Sequence, residues 1–391
     1  MKKIIIVFGT RPEAIKMAPL VNKLKKHSEE FETIVCVTAQ HREMLDQVLN
    51  LFDIKPDYDL NIMKIGQDLF DITSDVLLGL KKILEKENPD IILVHGDTTT
   101  SFSASLAAYY KQIPVGHIEA GLRTNDIYSP WPEEINRQLT ARISAYHFSP
   151  TEQSKNNLIK ENINEKKIYV TGNTVIDALH FVVNKFINEE SLRLKIKKSL
   201  TTNGLNKEKL EHWVNGTRKF ILITGHRREN FGTSFIEICQ AIKELSLENK
   251  NIDFVYPMHL NPNVREPIKK VFGENLNTFS NIFFIEPLEY LQFVYLMYYS
   301  HLILTDSGGI QEEAPGLNKP VFVMRNKTER TEGVDSGTIK LVGTNKKTII
   351  AEINSVINNN DNYLKMIKND NPYGNGKACE KIIQILKNDI I

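Results

Sequence analysis

The chain has 391 residues, 41% hydrophobic and 25% charged, enough for two or three domains with ample cores. Lys and Arg number 49 against 48 Asp and Glu; a net charge of +1 argues against a general nucleic-acid or anionic-membrane binder and leaves room for a local cationic pocket. The 3 Cys (Cys36, Cys239, Cys379) are far apart and show no CxxC spacing, which fits a reducing compartment and excludes a disulfide framework.

The elements alternate from the start. Ile4-Ile5-Ile6-Val7-Phe8 is a run of β-branched residues that predicts a buried strand over 4–8. Gly9-Thr10-Arg11-Pro12-Glu13-Ala14-Ile15-Lys16 then turns into a helix, the strand–turn–helix geometry at which α/β proteins hold anions. The apolar run is too short for a signal-peptide core and no small-residue cleavage site follows it. No stretch is long enough to span a bilayer, so a cytoplasmic location is expected. Further strands are predicted at 33–38, 91–95, 116–119 and 168–170, with an amphipathic helix over 68–85. The Lys/Glu-rich stretch 188–211 reads as a surface helix pair. Alternation then restarts, with strands at 220–224, 253–257, 282–285, 301–305 and 320–324 and helices at 233–247 and 288–299. The expected fold is α/β: two Rossmann-like doubly wound domains facing a cleft, spanning 1–172 and 173–376, with a last helix over 377–391 packing back on the first.

Ligands of open parallel sheets bind beyond the carboxyl ends of the strands, and the chemistry-bearing residues collect there. Strand 91–95 runs into Gly96-Asp97-Thr98, strand 116–119 ends at Glu119, and Pro132-Glu133-Glu134 opens a helix. Asp97, Glu119 and either Glu133 or Glu134 are predicted to converge as acid/base groups. An Asp after a strand also suits a helix N-cap, and acids suit a first helical turn. His95 and His117 stand two residues before acids, but His in a buried strand is read as a hydrogen-bonded core residue, and no metal site is assigned. In the second half, strand 220–224 leads into Gly225-His226-Arg227-Arg228-Glu229, and strand 301–305 into Asp306-Ser307-Gly308-Gly309. The paired glycines let backbone N–H groups approach a diphosphate, with Glu313 placed for ribose hydroxyls. Neither GxGxxG nor a P-loop is present, so no nicotinamide cofactor or NTPase is indicated.

These segments, with Gly116–Arg123 motif residues His117-Ile118-Glu119-Ala120-Gly121, Tyr128-Ser129-Pro130-Trp131-Pro132-Glu133-Glu134, and Val323-Met324-Arg325 followed by Thr328-Glu329-Arg330, resemble the non-hydrolysing UDP-N-acetylglucosamine 2-epimerase family along nearly the whole chain. The resemblance implies a glycosyltransferase B-like architecture and no cofactor. It implies catalytic-region residues Asp97, Glu119, Glu133 and His226, choosing Glu133 over Glu134, and substrate contacts at Arg11, Lys16, Phe293, Ser307, Gly308, Gly309, Glu313 and Arg330. Some members carry Gln at the position of Leu288, where a backbone contact would survive the change and a side-chain contact would not. Some bind a second UDP-N-acetylglucosamine as activator; Gln40 and His41 match that site, but Glu43 and Gly66 depart from it. The partners implied are UDP-N-acetylglucosamine and UDP-N-acetylmannosamine, with a homodimer and a supply role in cell-surface polysaccharide synthesis. A hydrolysing relative, a UDP-sugar-dependent glycosyltransferase and a UDP-sugar sensor are the competing readings. Pro12-Glu13 after Gly9-Thr10-Arg11 speaks against the first, the carboxylates against the second, and the retained acid/base set against the third.

Overall fold

The computed structural model describes residues 1–40 and 42–390. The chain forms two compact units, residues 1–180 with the segment from Tyr373 onward, and residues 181–372. Divisions at 180/181 and 372/373 replace the 172/173 and 376/377 read from sequence. The shift has a local cause. Helix Thr174–Asn188 begins inside the first unit, where Asp177 accepts the backbone N–H groups of Ala378 and Cys379 at 3.0 Å each. Helix Ala378–Ile385 lies in that unit too, with Lys23 donating to Glu380 at 2.6 Å.

In the first unit, seven strands form one parallel sheet: β1 (Lys2–Phe8), β2 (Phe31–Val37), β3 (Tyr58–Asp59), β4 (Ile91–His95), β5 (Val115–Ile118), β6 (Tyr146–Ser149) and β7 (Ile168–Val170). Their order, β3-β2-β1-β4-β5-β6-β7, reverses direction between β1 and β4, the switch point of a doubly wound sheet. Parallel strands are covered on both faces, so Ile4 to Phe8 are wholly buried, and each such side chain contributes about 1.5–3 kcal/mol of transfer free energy. One face packs Ile5, Val7, Ile92 and Val94 against Val76 and Leu80 of helix Leu69–Glu87. Helix Arg11–Lys26 starts directly after β1 because Thr10 and Glu13 form a capping box.

The second unit repeats the plan with β8 (Lys219–Thr224), β9 (Ile252–Pro257), β10 (Ile282–Ile285), β11 (Leu302–Thr305), β12 (Val321–Val323) and β13 (Ile339–Leu341), again all parallel. The order is β10-β9-β8-β11-β12-β13, so its switch point lies between β8 and β11. Ile221, Ile223, Phe254 and Leu304 pack there against Phe235, Ile238 and Ile242 of helix Thr233–Glu248.

The two-Rossmann expectation therefore holds within each unit. The 188–211 stretch resolves into helices Glu190–Thr202 and Lys207–Val214. The helix expected from 288 starts instead at Tyr290, because Glu289 keeps an extended backbone as its N-cap, leaving Leu288 outside. Strands β3, β6 and β13 were not foreseen. β3 has two residues, and β6 is Tyr146-His147-Phe148-Ser149, whose buried polar members break any apolar run. Among the described residues, no helix is long and apolar enough to cross a membrane.

Candidate functional site

Both switch points are flanked by the charged residues singled out above. In the first unit, β1 runs into Gly9, where a Cβ would stand 1.9 Å from Thr38 Oγ1 and force that side chain aside. The amides of Gly9 and Thr10 donate to Glu13 Oε2 at 3.0 and 2.8 Å, while the Thr98 and Ser101 hydroxyls donate to Oε1 at 2.6 and 3.0 Å. Glu13 thus clamps the β1 and β4 loops together. Burial raises its pKa and these hydrogen bonds oppose the rise without cancelling it. Arg11 and Lys16 lie in the first two turns of the helix that this clamp starts.

Lys16 pairs with Glu119, which follows β5. Glu119 Oε2 also accepts from Asn173 Nδ2 at 2.8 Å and lies 3.7 Å from His95 Nε2. Glu119 has φ +60°; with Ala39 and Gln112 it is one of the described positive-φ residues that are neither Gly, Asn nor Asp. Such a backbone costs roughly 1–3 kcal/mol and concentrates at functional sites. His117 matches the core reading: its Nε2 donates to the Gly96 carbonyl at 2.7 Å. The buried His95 Nε2 and His117 Nδ1 have no hydrogen-bond partner. Burial pushes His95 down to about 4 and His117 to about 3, so both are neutral at pH 7. Among the described residues no group of His, Cys, Asp or Glu side chains is arranged to hold a metal ion.

Asp97 is not the helix N-cap; Thr98 takes that role for helix Thr99–Tyr110. The Asp97 carboxylate instead accepts from Arg137 Nη2 at 2.5 Å, and its carbonyl from Asn136 Nδ2 at 3.0 Å. Both partners sit on helix Glu133–Ile143, which is thereby fixed against the β4 loop. The two acids heading this helix differ sharply. Glu134 is fully buried and accepts the N–H groups of Thr124 and Asn125 at 3.0 and 3.2 Å, Gln138 Nε2 at 3.0 Å, and pairs with Arg137 at 3.2 Å. Burial alone would raise its pKa, but the Thr124 amide, Gln138 and Arg137 outweigh that and hold it below the usual range. Glu134 is thus committed to the 124–125 loop. Glu133 Oε2 is buried with no hydrogen-bond partner. Asp97, Glu119 and Glu133 all stand at the carboxyl edge of the first sheet, on neighbouring elements.

In the second unit, Asp306 is fully buried and its Oδ2 accepts the amides of His226 and Arg227 at 2.9 Å each and Asn230 Nδ2 at 3.2 Å. This ties the β8 loop to the β11 loop across the switch point. His226 Nδ1 lies 3.7 Å from Asp306 Oδ1, and its ring stacks on His259 with centroids 5.2 Å apart. Burial lowers the His226 pKa, the Asp306 charge opposes this, and His259 and Arg227 add to the lowering. Ser307 holds the N-cap position of the short helix Gly308–Glu313, with an extended backbone and no side-chain capping hydrogen bond. A Cβ on Gly308 would meet Arg227 Nη2 and Arg330 Cζ, both at 3.3 Å, so two guanidinium groups close over this turn; at Gly309 a Cβ would meet nothing within 4 Å. Arg330 is oriented by Glu312 at 3.0 Å and Glu329 at 2.5 Å. Burial opposes ionisation of Glu329, but Arg330, Arg325 and Arg227 dominate and bring its pKa to about 2. Glu313 accepts from Tyr290 OH at 3.2 Å, and Phe293 is half-buried on the same helix as Tyr290.

Gln40 accepts from Thr100 Oγ1 at 3.2 Å, Glu43 lies in the first turn of helix Arg42–Leu51, and no atom comes within 4 Å of a Cβ at Gly66. His41 lies outside the described residues. Sequence reasoning did not single out Arg137, Asn173 or Asp306. Asp306 had a signal, since it follows a buried strand as Asp97 does. Asn173 had the mark of an N-cap before an apolar helix.

Two parallel sheets in switch-point order, each with a charged loop cluster at its carboxyl edge, define an α/β protein of two Rossmann-like units. The family model for UDP-N-acetylglucosamine 2-epimerase matches residues 22–387. The chain is 54% identical to the UDP-N-acetylglucosamine 2-epimerase of Escherichia coli K12 over 389 residues, covering 100% of this chain and 99% of that one, and 54% identical to that of Campylobacter jejuni over 99% and 97%. It belongs to the UDP-N-acetylglucosamine 2-epimerase family. Among solved structures it is similar to the Neisseria meningitidis enzyme bound to UDP-GlcNAc, with a TM-score of 0.86 and 52% identity over 99% of this chain and 100% of that one. The Methanocaldococcus jannaschii enzyme in complex with UDP-GlcNAc and UDP gives 0.76 at 35% identity, covering 99% of each. A Rickettsia africae glycosyltransferase, at 15% identity and a TM-score of 0.59, shares the fold.

Proposed function

We propose that this protein is a UDP-N-acetylglucosamine 2-epimerase of the non-hydrolysing kind, interconverting UDP-N-acetylglucosamine and UDP-N-acetylmannosamine to supply cell-surface polysaccharide synthesis. The hydrogen at sugar C2 is not next to a carbonyl, so direct deprotonation is too slow. Breaking the anomeric C1–O bond first lets UDP leave with the bonding electrons and develops positive charge at C1. The C2 proton then passes to a carboxylate, and the C2–H electron pair becomes the C1=C2 double bond of 2-acetamidoglucal. Protonation of C2 on the opposite face and return of the UDP oxygen to C1 give the epimer.

The observation that supports this reading is that Asp97, Glu119 and Glu133 stand at one sheet edge, while Glu134 is engaged by the Thr124 and Asn125 amides. Three acids on neighbouring elements suit proton removal and return at the two faces of C2. The leaving diphosphate needs cations and oriented amides. Arg330 stands at Gly308 beside Arg227, and Ser307, Gly308, Gly309 and His226 complete that set in the second unit. Arg11 and Lys16, in the first two turns of their helix, are assigned to substrate contacts of the first unit. Glu313, Phe293 and Leu288 are assigned to the nucleoside. The retained Pro12-Glu13, whose glutamate clamps the β1 and β4 loops, favours this reading over the hydrolysing one.

Incubation with UDP-N-acetylglucosamine and separation of the products by anion exchange tests the proposal. A UDP-linked manno sugar is expected. Free N-acetylmannosamine with equimolar UDP would replace it with the hydrolysing reading, and no turnover with tight UDP binding would favour the sensor.

A further inference from the structure

We infer that Asn173 is a positioning residue for Glu119, fixing the carboxylate that the proposed reaction uses at C2. The inference rests on that assignment of Glu119. Asn173 is 3% exposed and its amide group has both ends engaged. Its Oδ1 accepts the Val175 N–H at 3.0 Å, at the start of helix Thr174–Asn188, and its Nδ2 donates to Glu119 Oε2 at 2.8 Å. Its own backbone N–H donates to the Tyr373 carbonyl at 2.8 Å. Rotation of the side chain would break the helix cap, so the Nδ2–H direction is set by the backbone. Neighbouring glycines let the chain pack this closely: a Cβ on Gly172 would stand 3.3 Å from the Tyr373 carbonyl oxygen, and one on Gly374 would stand 3.4 Å from Gly172 Cα.

Glu119 needs such a fixture because its backbone is left-handed and its side chain is shared among several groups. Lys16 pairs with the same oxygen that Asn173 bonds, and His95 faces it at 3.7 Å. Lys16 is a flexible point charge that fixes no direction, and the buried His95 is neutral. The amide of Asn173 is a directional contact, donating to Glu119 Oε2 at 2.8 Å. A base held at a defined angle to the C2–H bond gains rate through orientation, and a misplacement of about 1 Å costs on the order of a hundredfold.

Two substitutions separate positioning from a purely structural role. Asn173→Asp keeps the oxygen that accepts Val175 N–H and turns the Nδ2 donor into a carboxylate oxygen facing Glu119. Like charges raise a carboxyl pKa, so one limb of the pH profile of kcat should move up by about one pH unit whether Glu119 gives or takes the proton. Asn173→Ser keeps a hydroxyl to cap the helix but cannot reach Glu119. Its kcat should fall roughly ten- to a hundredfold, with KM within about twofold and an unchanged thermal midpoint. Glu119→Gln is the control and should be inactive. Wild-type kcat and pH profile in both Asn173 variants beside an inactive Glu119→Gln would overturn the inference. So would an unshifted profile in Asn173→Asp with kcat, KM and thermal midpoint of Asn173→Ser all degraded together. Full activity of Glu119→Gln would instead remove the assignment of Glu119 on which the inference rests.

Discussion

Asp306 receives the main-chain N–H groups of His226 and Arg227 on a single carboxylate oxygen, both at 2.9 Å, although 80 residues separate it from His226. One fully buried acid therefore sets the path of the loop that carries His226 and places the Arg227 guanidinium over Gly308. An ionised acceptor satisfying two amides is among the stronger hydrogen-bond arrangements in a protein.

Asp306→Ala removes the one oxygen that accepts both amides and the Asn230 side chain. The β8 loop should lose its fixed path. UDP affinity measured by calorimetry should fall about tenfold or more, some 1.4 kcal/mol. Unchanged affinity would mean that the loop does not depend on this contact.

Glu133 and Glu134 should separate cleanly. Glu134→Ala removes a buried carboxylate that satisfies two backbone amides and pairs with Arg137, and should cost about 3 kcal/mol of stability. Glu133→Gln should abolish turnover with its thermal midpoint unchanged or raised, because Glu133 Oε2 is buried without a hydrogen-bond partner. Thermal melts beside activity assays of the two variants decide this; the opposite pattern would assign the chemistry to Glu134.

Gly309 gives a test that leaves the fold intact. A Cβ there meets nothing within 4 Å, so Gly309→Ala should melt with the wild type. If the diphosphate approaches the backbone at this turn, the methyl stands in its way and UDP affinity should drop at least tenfold. Wild-type affinity would place the diphosphate elsewhere.

The buried histidines make the first unit sensitive to acid. His117 sits near 3 in the folded state against 6.5 when unfolded, and burial is the main cause. Its folded pKa is depressed, so below pH 6.5 the unfolded chain binds a proton that the native state refuses, and stability falls as pH falls. The loss is about 1.4 kcal/mol per pH unit between pH 6.5 and about 4. His95 and His147, each near 4 through burial, act in the same direction. His117→Asn should thus be destabilised relative to wild type at pH 7, and the difference should shrink on acidification. Urea unfolding across this range checks it, and a constant difference would refute it.

The parts of this molecule legible in its sequence are those whose cause is local. β1, β4, β8 and β11 are buried on both faces, so each reads as an apolar run, and the polar residue after each run marks a strand end at a switch point. That local logic is what singles out Asp97, Glu119, His226 and Ser307 as candidates. It could not divide Glu133 from Glu134, because the difference lies in the Thr124 and Asn125 amides that reach back to Glu134 from another loop. Nor could it see that Arg137 grips Asp97, or that Asn173 bonds Glu119 across 54 residues, since such pairs exist only once the sheet has brought their loops together. β6 stayed hidden because His147 and Ser149 are polar yet fully buried.

The most direct test of C2 epimerisation through C2–H cleavage is a proton NMR time course of the protein with UDP-N-acetylglucosamine in D₂O, without added metal or nicotinamide. A UDP-linked manno anomeric signal should appear, with deuterium entering C2 of both sugars as the reaction approaches equilibrium. A manno product that retains its C2 hydrogen, or free N-acetylmannosamine and UDP accumulating as end products, would contradict it.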